Sequence, residues 1–192
     1  MLKLILGSSS PRRKQILQEM GIPFEVMVAD IDEKAIRYHD PKELVLAIAK
    51  AKAAALLPRI VEPSLLITAD GVVVCRNLIR EKPSTVDEAR IFLSDYRERH
   101  PAIAVSAVVV TNTQTGKQVG DVDVSTVFFR PFSDQAIEDM IGKGEAMKCS
   151  GAFTLTDPYV VPYVERVEGT LEGVVGLPVE LTKRLLREAQ EV

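Results

Sequence analysis

From Gly7 to Arg13 the chain reads Gly-Ser-Ser-Ser-Pro-Arg-Arg, and each of these residue types suits the holding of an anion. A glycine lets backbone approach a ligand closely. Pro11 opens a helix whose first turn presents unpaired N–H groups and partial positive charge. Ser8 and its neighbours add hydroxyl donors, while Arg12 and Arg13 add planar guanidinium forks matched to phosphate. The Gly-x-x-x-x-Gly-Lys-Ser/Thr spacing of the common phosphate loop is absent, so an N-cap serine followed by a solvated basic turn stands as the plainer reading. Further on, Asp70 follows the apolar run from Leu65 with Gly71 behind it. That is where a strand end meets a ligand crevice in α/β sheets, although aspartates at strand ends also begin turns.

Three more charged residues stand apart from plain surface charge. Glu33 ends the acidic run of Asp30, Asp32 and Glu33, and Lys82 lies in a loop before Pro83. Lys52 follows Ile48 by four residues and Leu44 by eight, so it projects from the apolar face of its helix, whereas Lys50 is about 200° away at about 100° per residue. A lysine on an apolar face is costly unless a carboxylate or phosphate meets it, or unless its stem snorkels to water. Methionine at position 52 is expected to suit that face and to keep or slightly raise stability. Two carboxylates without a His/Cys ligand set favour a hard, oxygen-seeking ion, Mg²⁺ or Mn²⁺, over zinc. Serine-nucleophile chemistry is a poorer reading, because no Gly-x-Ser-x-Gly elbow is present and His39 and His100 have no evident triad setting.

These residues need elements to carry them. Leu2 to Leu6 reads as a buried strand, and a helix follows at once with Ile16, Leu17 and Met20 on one face. Phe24 to Glu33 reads as an extended segment. Pro41 to Leu57 is a second helix burying Leu44, Val45, Ile48 and Ala55. Ser64 to Cys75 gives two short strands or one bent strand, with the break at Asp70-Gly71. A capping box at Thr85 and Glu88 starts a third helix with Ala89, Phe92, Leu93 and Tyr96 buried. Ala102 to Thr111 and Val122 to Phe129 form a hairpin-like antiparallel pair. A fourth helix opens at Pro131 and Ser133 with Ile137, Met140 and Ile141 inside, and the last carries Leu181, Leu185 and Leu186. Alternating strands and helices with one antiparallel pair predict an α/β fold, a mixed sheet flanked by helices.

The 192 residues suffice for a sizeable core in one domain or two joined lobes. Cys75 and Cys149 stand alone, which suggests neither a disulfide framework nor a zinc site and makes a reducing cytoplasm the expectation. The N-terminal apolar run is too short for a signal peptide or membrane span. With a net charge of −3 and interspersed signs, no nucleic-acid or membrane partner is expected.

Taken in order and spacing, the segments GSSSPRR, DIDE, KAKA, TAD, EKP and EGTLEGVVGLPVEL resemble the Maf family across almost the whole chain. The resemblance implies a nucleoside triphosphate pyrophosphatase with an elongated fold like that of inosine triphosphate pyrophosphatases. It implies a single domain over residues 1–192, built as two closely joined lobes with a central cleft, and a metal-dependent cytoplasmic homodimer. Asp70 matches the family's general base, and Glu33 the acidic residue that helps hold metal with it. Ser8, Arg13, Lys52 and Lys82 match the polar lining that grips the triphosphate. Arg12 matches a position that separates a dTTP/UTP subgroup from one acting on methylated GTP, and arginine points to the former.

Two base-reading positions depart from the pyrimidine pattern. Gly71 stands where a threonine is usual, and SGAFTLTD replaces AGAYGIQG, so that Phe153 takes the place of a tyrosine and Thr156 that of a glutamine. Loose base selectivity is therefore expected, among dTTP, UTP or modified nucleotides. The expected reaction is attack by water on the α-phosphorus with Asp70 taking the proton and pyrophosphate leaving. The rival readings are a non-catalytic nucleotide-binding regulator of cell division and a phosphatase releasing orthophosphate.

Overall fold

The computed structural model describes residues 2–191. Seven strands form one mixed sheet in the order β2-β1-β3-β5-β6-β7, with β4 paired to β3. The chain divides into two compact units: Met1–Asp70 with Ser106–Asp123 and Gly176–Val192, and Gly71–Val105 with Val124–Val175. Each of the long strands β3 (Ser64–Cys75), β5 (Ala102–Asn112) and β6 (Gln118–Phe129) gives one half to each unit. In β3 the change falls between Asp70 and Gly71.

In the first unit β1 (Lys3–Leu6) lies parallel to β2 (Glu25–Val26) and to β3, with Leu6 opposite Ile67 as the last pair. Helix α1 (Pro11–Glu19) starts where expected, capped by the Ser10 hydroxyl accepting from the Arg13 amide at 3.4 Å. Ile16 and Leu17 are buried, and Met20 is only half-buried because the helix has ended before it. Helix α2 (Pro41–Leu56) is capped by Asp40 with Pro41 at its first position. Its buried face runs through Leu44, Val45, Ile48, Ala49, Ala53 and Leu56, and Ala55 is half-buried because Leu56 fills the core at that end. Ala53 and Leu56 pack on Ile5 and Leu66 of the sheet. Helix α6 (Val179–Glu188) buries Leu185 and Leu186, while Leu181 is half-buried. The hairpin expected between β5 and β6 closes with Asn112 N–H donating to the Lys117 carbonyl at 2.9 Å.

In the second unit β4 (Leu78–Arg80) folds back antiparallel on β3 through Arg76 and Asn77, both left-handed at φ 52° and 61°, as a tight hairpin requires. Helix α3 (Val86–Arg97) is capped by Thr85 accepting from the Glu88 amide, but Glu88 reaches back to Ser84 rather than to Thr85, at 2.7 Å to both its N–H and its hydroxyl. Helix α4 (Asp134–Gly142) begins after Ser133, and β7 (Val164–Glu168) and the short α5 (Leu171–Val175) come from a stretch without clear sequence periodicity. The core holds Tyr96, Phe129 and Phe153 with ring centroids 5.2–5.4 Å apart, and the Tyr96 hydroxyl donates to the Gly151 carbonyl at 2.9 Å. Phe153, expected near the base-reading positions, is thus a core aromatic. Both cysteines are free and buried, and burial pushes the Cys75 thiol up to about 11.

Of the two readings of Ser64 to Cys75, the structure has one strand and not two short ones. Strand β3 runs unbroken through twelve residues, and Gly71 is not among the glycines with positive φ. Burial accounts for the continuity: the β3 residues from Ser64 to Asp70 are all buried, and β3 lies beside β5 in the sheet, so the strand continues through the glycine.

Gly7 is required for a different reason. Its amide donates to the Ile67 carbonyl at 2.7 Å, and a Cβ there would lie 2.6 Å from Thr68 Cγ2 and 2.7 Å from Leu56 Cδ1. Thr68 cannot turn away, because its hydroxyl donates to the Ala49 carbonyl at 2.8 Å. We expect Gly7→Ala to destabilise the protein by about 1–3 kcal/mol, as overpacking of a filled site does. Urea unfolding of the variant against wild type checks this, and an unchanged midpoint would show that the contact relaxes freely.

Candidate functional site

Lys52 is where the helical-face argument meets the structure. Its ammonium is 2.8 Å from Asp70 Oδ1 and 3.1 Å from Glu33 Oε1. The side chains of Lys52 and Asp70 are 12% and 11% exposed, while Glu33 is 50% exposed. Lys50, two residues earlier, is exposed. The inward lysine is therefore met by carboxylates and is not snorkelling. Glu33 reaches this place from a 3-10 turn, Glu33–Ala35, capped by Asp32 accepting from the Lys34 amide at 3.1 Å.

The loop before α1 meets the same stretch of β3. Ser8 is buried and its hydroxyl accepts from the Ser10 amide at 3.2 Å. Arg13 Nη1 donates to the Ala69 carbonyl at 2.9 Å and lies 3.4 Å from Ser8 Oγ, while Nε donates to the Gly176 carbonyl at 2.9 Å. Burial pulls the Arg13 guanidinium down from its ordinary value, and the charges of Asp70 and Glu33 act the other way. It stays protonated, as guanidinium does in proteins. Arg12 follows on the same first turn, half-buried.

Of the residues singled out from sequence, Ser8, Arg13, Glu33, Lys52 and Asp70 thus come together in the first unit. Gly71, Lys82 and Thr156 belong to the second. There Lys82 is exposed beside buried Pro83, the Gly71 carbonyl accepts from Ser150 Oγ at 3.1 Å, and exposed Thr156 lies with its hydroxyl 3.2 Å from that of Thr154. Sequence reasoning missed Gly176. Its signal was the Gly-Leu-Pro before the last helix, and at φ 108° it takes a backbone conformation open to glycine.

Two carboxylates, a nearly buried ammonium and a helix start bearing serine and arginine thus lie together in the first unit. Among the described residues no group of three or more His, Cys, Asp or Glu is placed to hold a metal, and no helix is long and apolar enough to cross a membrane.

Comparison with known proteins gives the family. The Maf profile, described as Maf-like protein, matches residues 3–189, and the chain belongs to the Maf family. It is 46% identical to a protein named 7-methyl-GTP pyrophosphatase from Dictyostelium discoideum, over 98% of each chain. It is 34% identical to a nucleoside triphosphate pyrophosphatase of Synechococcus sp. (strain JA-2-3B'a(2-13)), covering 96% of this chain and 93% of that one. A dTTP/UTP pyrophosphatase of Vibrio vulnificus (strain YJ016) is 33% identical over 98% of this chain and 99% of its own. A solved nucleoside-triphosphatase / dITP/XTP pyrophosphatase from Mycobacterium abscessus is similar over 67% of this chain and 74% of its own, at 13% identity and a TM-score of 0.44, too distant to carry an argument.

The ion-pair geometry reverses the stability expected of methionine at position 52. Removing the ammonium leaves the nearly buried Asp70 carboxylate without its counter-charge. That costs on the order of 1–3 kcal/mol, less than the ~3–5 kcal/mol of a fully buried pair because Glu33 keeps the site partly wet. Lys52→Met should therefore lower Tm, at roughly 2–4 °C per kcal/mol for a chain of this size, while Lys50→Met leaves it unchanged. Thermal melts of both variants check this, and equal melting temperatures would refute the pairing.

Proposed function

We propose that this chain hydrolyses nucleoside triphosphates to the monophosphate and pyrophosphate. The observation that carries the reading is the convergence of Lys52, Asp70 and Glu33 on one point, beside the loop that presents Ser8 and Arg12. Names of relatives over nearly the full chain length support it.

The donor set fits a hard divalent ion shared with the substrate. Mg²⁺ is held by one or two carboxylates plus water and phosphate oxygens, and Glu33 and Asp70 are the two carboxylates that would hold it. When bound, the ion supplies positive charge to the phosphates. Asp70 Oδ1 is held by Lys52, and Oδ2 is the oxygen proposed to take the proton of the attacking water. The new bond forms between water oxygen and the α-phosphorus, and the bond from that phosphorus to the α–β bridging oxygen breaks, so pyrophosphate leaves with the electron pair. Ser8, Lys52 and Arg12 bind phosphate oxygens and stabilise the charge that gathers on them. The cytoplasmic homodimer implied by the family resemblance belongs to the same proposal.

Asp70→Asn should keep the fold and lower kcat by at least ~10²-fold, the lower end of what loss of a general base costs. Pyrophosphate release with Mg²⁺ or Mn²⁺ measures it. Turnover near wild type would remove Asp70 from the role, release of orthophosphate alone would indicate a phosphatase, and binding without turnover by wild type would indicate a regulator.

Base choice is proposed to be loose. Arg12 points to dTTP and UTP, but the relative at 46% identity is named for 7-methyl-GTP, and neither Gly71 nor the short Thr156 brings the side chain usual for reading a pyrimidine. A site without such hydrogen bonds leaves no buried polar group unpaired when another base enters. Across dTTP, UTP, GTP and 7-methyl-GTP, the best two substrates should differ in kcat/KM by less than ~10²-fold, since one contact is worth about 1–3 kcal/mol. Gly71→Thr with Thr156→Gln should sharpen preference for dTTP or UTP, and at Gly71 no positive φ opposes a threonine. A wild-type preference above a thousandfold would refute the assignment of these two positions.

A further inference from the structure

We infer that Arg13 is a positioning residue: it holds the peptide that carries Asp70 in place of a missing strand neighbour and does not grip the triphosphate. The inference rests on the hydrolytic reading of Asp70 above.

Carbonyls two residues apart on a strand point to the same edge. The Ile67 carbonyl points toward β1, where it accepts from Gly7 N–H at 2.7 Å, so the Ala69 carbonyl points to that edge as well. Strand β1 ends at Leu6, opposite Ile67. A regular parallel ladder would bring the amide of Ser9 to Ala69, but the chain has already turned into its loop, where Ser10 N–H is held by Ser8 Oγ. Ala69 is fully buried, and a buried carbonyl without a donor is costly. Arg13 supplies the donor, Nη1 at 2.9 Å.

That carbonyl belongs to the peptide plane whose nitrogen is that of Asp70, and the plane is rigid. Fixing the carbonyl therefore fixes the direction in which Asp70 leaves the strand. The same guanidinium ties two other segments to this plane, the loop through Ser8 Oγ at 3.4 Å and the entry to α6 through the Gly176 carbonyl at 2.9 Å. Three acceptors from three segments, met by one planar fork, are the arrangement in which lysine does not replace arginine. Here Nε and Nη1 both point at the protein's own carbonyls.

The test uses the full chain with Arg13→Lys, and Arg13→Ala beside it if that variant folds by circular dichroism. Two quantities are read: kcat for the best triphosphate, and Kd for its α,β-methylene analogue by calorimetry. The expected result is a loss of kcat of roughly 10²-fold, as a small misplacement of a reacting group causes, with Kd within about threefold of wild type. A Kd weakened by roughly 10–150-fold, the value of a lost hydrogen bond to a charged group, would overturn the inference in favour of phosphate binding. Unchanged kcat with only a lower Tm would overturn it in favour of a purely structural role. The backbone 15N resonance of Asp70 gives a readout independent of turnover: it should move in Arg13→Lys, and a resonance that stays put overturns the inference. If wild type itself releases no pyrophosphate from any triphosphate, the functional reading fails, while the resonance and Kd still decide the role of Arg13.

Discussion

A carboxylate taken out of water must be met by positive charge, and the nearly buried Asp70 is met by one ammonium, Lys52, at 2.8 Å. Much of the first unit can be understood as the means of keeping that pair together. Helix α2 must present Lys52 inward, which its stripe of Leu44, Ile48 and Ala49 achieves by packing on the sheet. Thr68 bonds to the carbonyl of Ala49, one turn before Lys52, and so ties the helix to the strand two residues before Asp70. The pair is held in register from both partners.

The turn after β1 solves a second problem with the same residues. Where β1 stops, β3 continues, and its free edge carries carbonyls that need donors. Gly7 meets the first by approaching so closely that no side chain fits. Arg13 meets the second from the first turn of α1. The loop between them, with Ser8, Ser9 and Ser10, is thereby fixed at both ends against β3, at Ile67 and at Ala69.

The second unit handles its own buried carboxylate differently. Asp95 on α3 is bonded by Arg80 at 2.7 Å and Arg76 at 3.0 Å, with Arg80 stacked over Phe92 at 4.5 Å. These contacts fasten the β3–β4 hairpin to α3, against the aromatic core of Tyr96, Phe129 and Phe153. That core gives a rigid frame to the segment carrying Thr154 and Thr156, whose loop is further ordered by Asp157 accepting from the amides of Glu145 and Tyr159 at 2.6 and 2.9 Å.

Sequence alone determined whatever depends on local periodicity and residue chemistry. The mixed α/β class, the capped starts of α1, α2 and α3, and the inward Lys52 and outward Lys50 all follow from spacing along the chain, whereas the grouping of Ser8, Glu33 and Asp70 followed from the resemblance to the Maf family. Tertiary structure decided what depends on neighbours that spacing cannot see. Strand β3 continues through Asp70-Gly71 because burial beside β5 outweighs the local break that aspartate and glycine suggest. Lys52 is held by Asp70 and Glu33, at 2.8 and 3.1 Å, which its place on the helix face alone does not reveal. Arg13 donates to the Ala69 carbonyl, which lies beyond the last residue of β1. The ends of strands, and the donors their edges then require, are set by packing between segments far apart in the chain, and a linear pattern carries no record of them.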